Sequence, residues 1–336
     1  MYPMYKIMFF LSLVLGTLIT ISSYSWLSMW MGLEINLLSI IPLLSDSKNL
    51  YPSESALKYF ITQALASSIF LLTIILSLNL KEQILDNLNF LSMLMNSALL
   101  MKMGAAPFHT WFPEVLEGLN WNNSFLMLTW QKIAPMILLL YNSNMSMFFL
   151  SIILFSSIIS GIMGLNQISL RKIMAYSSIN HISWMLASMM NNQNIWLIYF
   201  IVYSIISFNL IVIFKTLNTF YLKQLFNVLN FNKMIKFSFL LNFFSLGGLP
   251  PFLGFFPKWM VINNLICNNY YMLSILLIIF TLITLYFYLR ISFSTLMINH
   301  SEMIFYSQNK LNFNYFFINF ISLSGLLTCT LILNFS

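Results

Sequence analysis

Runs of about 20 mostly apolar residues follow one another along this chain with only short polar breaks between them, and each is long enough to cross a bilayer as a helix. Eleven such segments can be placed, near 4–21, 25–44, 54–79, 88–117, 123–141, 146–165, 170–190, 194–218, 235–264, 270–292 and 314–335. Composition agrees. Hydrophobic residues make up 60% of the chain and charged residues 7%, whereas a soluble fold carries about a quarter of its residues charged. The expected fold class is therefore an all-α polytopic membrane protein with about 11 transmembrane helices. The opening stretch, "MYPMYKIMFFLSLVLGTLITISS", lacks a small-residue cleavage site and reads as a retained first span.

Several chemistries are disfavoured by what the chain carries. The net charge of +7 comes from scattered single Lys and Arg residues without a stacking-aromatic patch, so nucleic acid is not an expected partner. Cys267 and Cys329 are far apart, with no CxxC or Cys/His cluster, so no metal site or iron–sulfur centre is expected. His109 and His181 are the histidines in apolar segments, too few for a multi-haem cytochrome. Neither GxGxxG nor a Walker motif is present.

The distribution of basic residues orients the spans. With eleven helices, the N-terminal side receives Lys6, Lys48, Arg171, Lys172, Lys215, Lys223, Lys233, Lys236, Arg290 and Lys310, and the other side receives Lys81. A helix gained or lost midway would move every later loop to the opposite side and erase this asymmetry. The positive-inside rule thus places the N-terminus on the positive side and the C-terminus on the other. The longest loops, near 219–234 and 293–313, are too short to form a domain.

An internal repeat runs through the chain. A shift of 144 residues lays "GAAPFHTWFPE" (104–114) on "GLPPFLGFFPK" (248–258), matching Gly104 with Gly248, Pro107 with Pro251 and Pro113 with Pro257. At the same offset Asn36 falls on Asn180, Ser39 on Ser183 and Tyr59 on Tyr203. The shift carries five helices, an odd number, so the two copies are expected to be inverted five-helix repeats of the kind used by ion-coupled transporters. The expected layout is a leading helix at 1–22, a first repeat at 23–166, and a second at 167–313 that is completed by the helix within 314–336. Gly104 and Pro107 in one copy, and Gly248, Pro250 and Pro251 in the other, break a helix in each. Proline removes a backbone donor and clashes with the preceding turn. In hydrocarbon the freed carbonyls survive only where protein or water surrounds them, so the two breaks imply a polar axis near the middle of the membrane.

Charge inside the spans points the same way. A charge at a helix centre costs roughly 2.5 to 3.5 kcal/mol on insertion scales, yet Glu34 lies midway along the second span, Lys102 just before the first break and Lys132 midway along the fifth span. Lys258 ends the second break. A buried lysine whose carboxylate partner comes and goes changes its proton affinity, the basis of a proton-transfer element. The competing reading for Glu34 and Lys102 is a permanent ion pair that fixes helix register. Lys58, in the first turn of its span, reads as snorkelling to the positive side, and Lys258 can be read that way too. His109 and His181 are candidate proton relays or, equally, packing histidines. Glu114 and Glu117 read as solvated.

In combination, "MGLEINLLSIIPLL", "ALKYFITQALASS", "LLMKMGAAPFHTWFPEV", "TWQKIAPM", "GLNQISLRKIMAYSSINHISWM" and "SLGGLPPFLGFFPKW" resemble the antiporter-like subunits of respiratory NADH:quinone oxidoreductase, complex I, and above all their animal mitochondrial branch. The resemblance runs from about residue 25 to 292. It implies that Glu34 matches the family's intramembrane glutamate, Lys102 the lysine of the first broken helix, Lys132 the connecting lysine and Lys258 the lysine of the second broken helix, with His109 and His181 near the same hydrated axis. Bacterial relatives carry about three further N-terminal helices that this chain lacks, as animal versions do.

The resemblance further implies a proton-translocating membrane-arm subunit in the mitochondrial inner membrane, with its N-terminus in the matrix and its C-terminus towards the intermembrane space. It would carry no cofactor of its own, with NAD, FMN, iron–sulfur clusters and ubiquinone in partner subunits. Its partners would be other membrane-arm subunits and lipids such as cardiolipin. Two rival readings are a free-standing cation/proton antiporter and a passive subunit that braces the arm.

Overall fold

A computed structural model describes residues 4–46, 49–79, 86–143, 146–229, 233–297 and 319–320. Among them are fourteen helices. The chain divides into two compact units, Met1–Ser156 and Ser157–Ser336, with the division inside one helix.

The first unit holds α1 (Met4–Ser22), α2 (Trp26–Leu44), α3 (Leu50–Asn79), α4 (Asp86–Met103), α5 (Trp111–Gly118), α6 (Trp121–Leu128), α7 (Trp130–Tyr141) and the start of α8 (Ser146–Gly164). The second holds the rest of α8, then α9 (Leu170–Met189), α10 (Gln193–Leu217), α11 (Leu222–Leu229), α12 (Lys233–Gly247), α13 (Phe255–Cys267) and α14 (Tyr271–Met297). Ten of the eleven expected spans are present, three of them as pairs of shorter helices (α4 with α5, α6 with α7, α12 with α13). The span expected at 314–335 lies outside the described residues apart from Asn319 and Phe320, as do Lys48, Lys81, Lys310 and Cys329.

Seven of the described segments are long and apolar enough to cross a membrane: α1, α2, α3, Trp121–Tyr141, α8, α10 and α14. The three expected spans that miss this threshold are the two with Gly/Pro breaks and α9, whose residues Ile173 to Met189 are all buried and include Ser177, Ser178, Asn180, His181 and Ser183. The sorting is physical. Large apolar side chains face outward, as Met8, Leu11, Leu15 and Leu18 do on α1, while that helix buries Leu13, Gly16, Thr17 and Thr20. Small residues let neighbouring backbones approach, the usual basis of helix packing in lipid. A Cβ added to Gly32 of α2 would lie 2.9 Å from the Gly16 carbonyl of α1. Two of the buried serine hydroxyls of α9 are satisfied within their own helix, Ser177 donating to the Met174 carbonyl at 2.8 Å and Ser178 to that of Ala175 at 2.7 Å, so they cost little.

The structure departs from the sequence reading in two places. The fifth span is not continuous but parts at Thr129, where φ −118° and ψ −71° separate α6 from α7. Pro135, inside α7, has no N–H for the Gln131 carbonyl, which weakens the helix just beyond this point. The expected loop at 219–234 contains α11, which buries Leu225 and Leu229 and is pinned at its start by the Leu222 N–H donating to the Ile168 carbonyl at 3.2 Å.

Candidate functional site

The two Gly/Pro breaks have the same backbone. Gly104 and Gly248 take φ of +75° and +76°, a left-handed conformation that side chains disfavour. In the first break the Gly104 N–H donates to the Met101 carbonyl at 3.2 Å and that of Ala105 to Leu100 at 3.1 Å; in the second, Gly248 donates to Ser245 at 3.0 Å and Leu249 to Phe244 at 3.2 Å. Every one of these pairs is separated by 144 residues from its counterpart. The Ala106–Pro107 and Pro250–Pro251 bonds are both cis. A Cβ at Gly254 would overlap the Ser245 carbonyl, so the chain folds back tightly on the end of α12.

Each break has a buried lysine at the C-terminal end of its first half-helix, where the carbonyls lack intrahelical partners and the helix dipole favours a cation. In the first unit the helix carries it: Lys102 lies in the last turn of α4 and is 7% exposed. In the second the lysine reaches back across the break. Lys258 lies in the first turn of α13, also 7% exposed, and its Nζ donates to the Gly247 carbonyl at 2.9 Å and that of Leu246 at 3.4 Å. The same ammonium lies 5.9 Å from the centre of the Trp184 ring on α9. Lys258 therefore does not snorkel, because the freed carbonyls hold it inside.

Around Lys102 the first unit builds a polar pocket out of neutral groups. Gln63 Nε2 donates to the Lys102 carbonyl at 3.4 Å, Tyr59 Oη to Gln131 Oε1 at 3.3 Å, and Gln131 Nε2 to Asn36 Oδ1 at 2.8 Å. All four side chains are buried. With Lys102 they line a small cavity with room for about one water. Glu34 is half-buried on α2, and among the described residues no ion pair joins it to Lys102. The permanent ion pair weighed from the sequence is therefore absent.

Lys132 is 1% exposed in the first turn of α7, directly after the Thr129 break, with its Nζ 5.1 Å from the centre of the Phe112 ring. Phe112 belongs to α5, the second half of the broken helix, and its N–H donates to the His109 carbonyl at 3.0 Å. Lys102 and Lys132 thus sit on packed neighbours, α4 and α7, with Gln131 in the pocket of one and beside the other.

The remaining predicted residues separate. His109 is half-buried on the break, its Nδ1 3.3 Å from the Pro107 carbonyl. His181 is buried in the second unit, with Nδ1 2.9 Å from Tyr199 Oη and its ring centre 4.9 Å from that of Tyr203. Lys58, 45% exposed, pairs with Glu54 at 3.1 Å and Glu114 at 3.2 Å, which is a surface arrangement. Sequence reasoning missed Gln63 and Gln131 as site residues, because neutral amides do not stand out as charges do. Asn36 and Tyr59 had already surfaced as matches in the repeat.

Comparison with known proteins follows the same lines. The profile of a family described as NADH:quinone oxidoreductase/Mrp antiporter, transmembrane, matches residues 23–284. The chain is similar to NADH-ubiquinone oxidoreductase chain 2 of Anopheles gambiae, 52% identical over 330 residues, and to that of Aedes aegypti, 54% identical over 331, each match covering 96% of both chains. It shares the fold of a chain in respiratory complex I from Thermus thermophilus, with a TM-score of 0.80 and 23% identity over 87% of this chain and 71% of the other. The same holds for a chain in the membrane-bound sulfane sulfur reductase, an archaeal respiratory membrane complex, with a TM-score of 0.82 and 16% identity over 97% and 73%.

Proposed function

The chain belongs to the NADH:quinone oxidoreductase/Mrp antiporter family, and from that premise we propose that it is a proton-translocating membrane-arm subunit of respiratory complex I. Oxidation of NADH and reduction of ubiquinone belong to partner subunits, which carry NAD, FMN and the iron–sulfur clusters. The observation that carries the reading is the pair of buried lysines, Lys102 and Lys132, each beside a helix break, with Gln131, next to Lys132 in sequence, hydrogen-bonded to Tyr59 and Asn36 in the pocket that Lys102 lines.

In this reading Lys102 and Lys132 each hold and release a proton. Glu34 biases Lys102 through charge alone, so a shift of α2 or α4 changes that bias without breaking a tight pair. Phe112 links the break to Lys132, because a ring within about 6 Å favours the ammonium form. A movement of α5 changes the environment of Lys132 through the Phe112 ring. Against a potential of about 150 mV, one transferred charge requires roughly 3.5 kcal/mol. A tenfold change in proton affinity supplies about 1.4 kcal/mol, so a change of a few factors of ten is of matching size. Lys258 anchors the second break, and His181 with Tyr199 and Tyr203 gives the second unit a buried polar cluster of its own.

The location follows as part of the same proposal: the mitochondrial inner membrane, with the N-terminus and the basic loops in the matrix and the C-terminus towards the intermembrane space. Other membrane-arm subunits and anionic lipids such as cardiolipin surround the chain. Transport by the isolated chain tests the assignment. The purified chain in vesicles should carry no protons under a pH or cation gradient, whereas the assembled complex should acidify its compartment when NADH is oxidised. Exchange by the chain alone would favour the free-standing antiporter.

A further inference from the structure

From residue 118 to residue 301 the sequence contains no Asp or Glu. The described part of the second unit is therefore cationic with no carboxylate of its own, although Arg171, Lys172, Lys215, Lys223, Lys258 and Arg290 all belong to it. Lys258 finds backbone carbonyls. Among the described residues, Arg290, exposed near the end of α14, has one hydrogen-bond partner, the Leu165 carbonyl at 3.5 Å, whereas a guanidinium has five N–H donors.

Arg290 lines a groove of about 350 Å³ formed where the end of α8, the start of α9, α11 and the end of α14 meet. Its walls include Phe226, Phe287 and Ile291, and Ser294 stands at the same end of α14. The depth is set by α11. This helix buries Leu225 and Leu229 and exposes Lys223 and Gln224, the pattern of a short amphipathic helix lying in the plane of the membrane surface. A guanidinium over an apolar slot at headgroup depth matches the two halves of an acidic lipid, since Arg pairs with phosphate in fork geometry. Basic pockets between helices on this side of a membrane take such headgroups.

We propose that this groove holds one anionic phospholipid, its phosphate on Arg290 and its first methylenes against Phe226, Phe287 and Ile291. The proposal rests on the reading that anionic lipids surround the chain and goes beyond it by naming the site. A photo-crosslinkable anionic phospholipid, added to the intact purified complex, tests it, with bound lipids counted after detergent exchange. The wild type should crosslink to α14 and α11. Arg290→Gln should lose one anionic lipid per complex and crosslink about tenfold less or lower still, the effect of removing one charge-assisted bond, with zwitterionic lipid unchanged. Ser294→Trp, which obstructs the groove and leaves Arg290 in place, should do the same and decides the matter if the Gln variant fails to assemble. Unchanged binding in an assembled variant would overturn the site while leaving the lipid reading intact. A wild-type complex that retains no anionic lipid would overturn both. Displacement by inorganic phosphate at the concentration of the lipid would show a small-anion site and refute the lipid.

Discussion

Replacing Lys258 by Met removes the ammonium that closes the second break while keeping most of the side chain's bulk. Lys258 Nζ supplies donors to two carbonyls at the end of α12, at 2.9 Å for Gly247 and 3.4 Å for Leu246. Hydrogen bonds to charged groups contribute roughly 1.5 to 3 kcal/mol each. The longer bond belongs at or below the bottom of that range, so the break should loosen by about 3 kcal/mol. At about 1.4 kcal/mol per factor of ten, local opening becomes about a hundredfold more populated, provided that it proceeds by sub-global unfolding. Hydrogen exchange on the intact complex, read by mass spectrometry, would register this at the Gly248 and Leu249 amides, which are bonded to the Ser245 and Phe244 carbonyls. The equivalent amides of Gly104 and Ala105 should keep their protection, since Lys102 is untouched. Unchanged exchange at 248 and 249 would show that the carbonyls are held by something other than the lysine, and would refute the capping argument.

Three further outcomes follow from the packing. Gln131→Leu leaves Asn36 Oδ1 without its donor and Tyr59 Oη without its acceptor, at roughly 1 to 3 kcal/mol for each buried group left unsatisfied; it should lower both the thermal resistance of the assembled complex and its proton yield, whereas Tyr59→Phe should have the smaller effect. Gly32→Leu forces a side chain into the α1–α2 crossing, where Thr20 and the Gly16 carbonyl already stand against the backbone; overpacking typically costs about 1 to 3 kcal/mol, and less assembled complex should appear on native gels. Lys58→Met removes a solvent-screened pairing with Glu54 and Glu114 and should leave assembly and proton yield unchanged.

The breaks at Gly104 and Gly248 were legible because proline and glycine announce themselves, and a shared offset of 144 made each support the other. The buried lysines were legible for a related reason, since a charge in an apolar run is costly and conspicuous. The break at Thr129 was not, because neither glycine nor proline stands there and Pro135 acts from six residues downstream. α11 was hidden by its length, eight residues with two buried leucines, too short for a period to emerge. The pocket around Lys102 was only half visible: Asn36 and Tyr59 recur in the repeat, but Gln63 and Gln131 gain meaning only when α3 and α7 pack beside α2 and α4. The destination of Lys258 was likewise undetermined, because a lysine near a span end can reach water or backbone equally well until the fold closes over it.

The direct test of the central claim is the number of protons moved per electron pair by the intact complex in sealed vesicles, with Lys132 replaced by Met. The complex should still assemble and pass electrons from NADH to ubiquinone, with a clearly lower proton yield. A yield equal to that of the wild type would mean that protons do not pass by way of Lys132, and the chain would then be a brace within the arm.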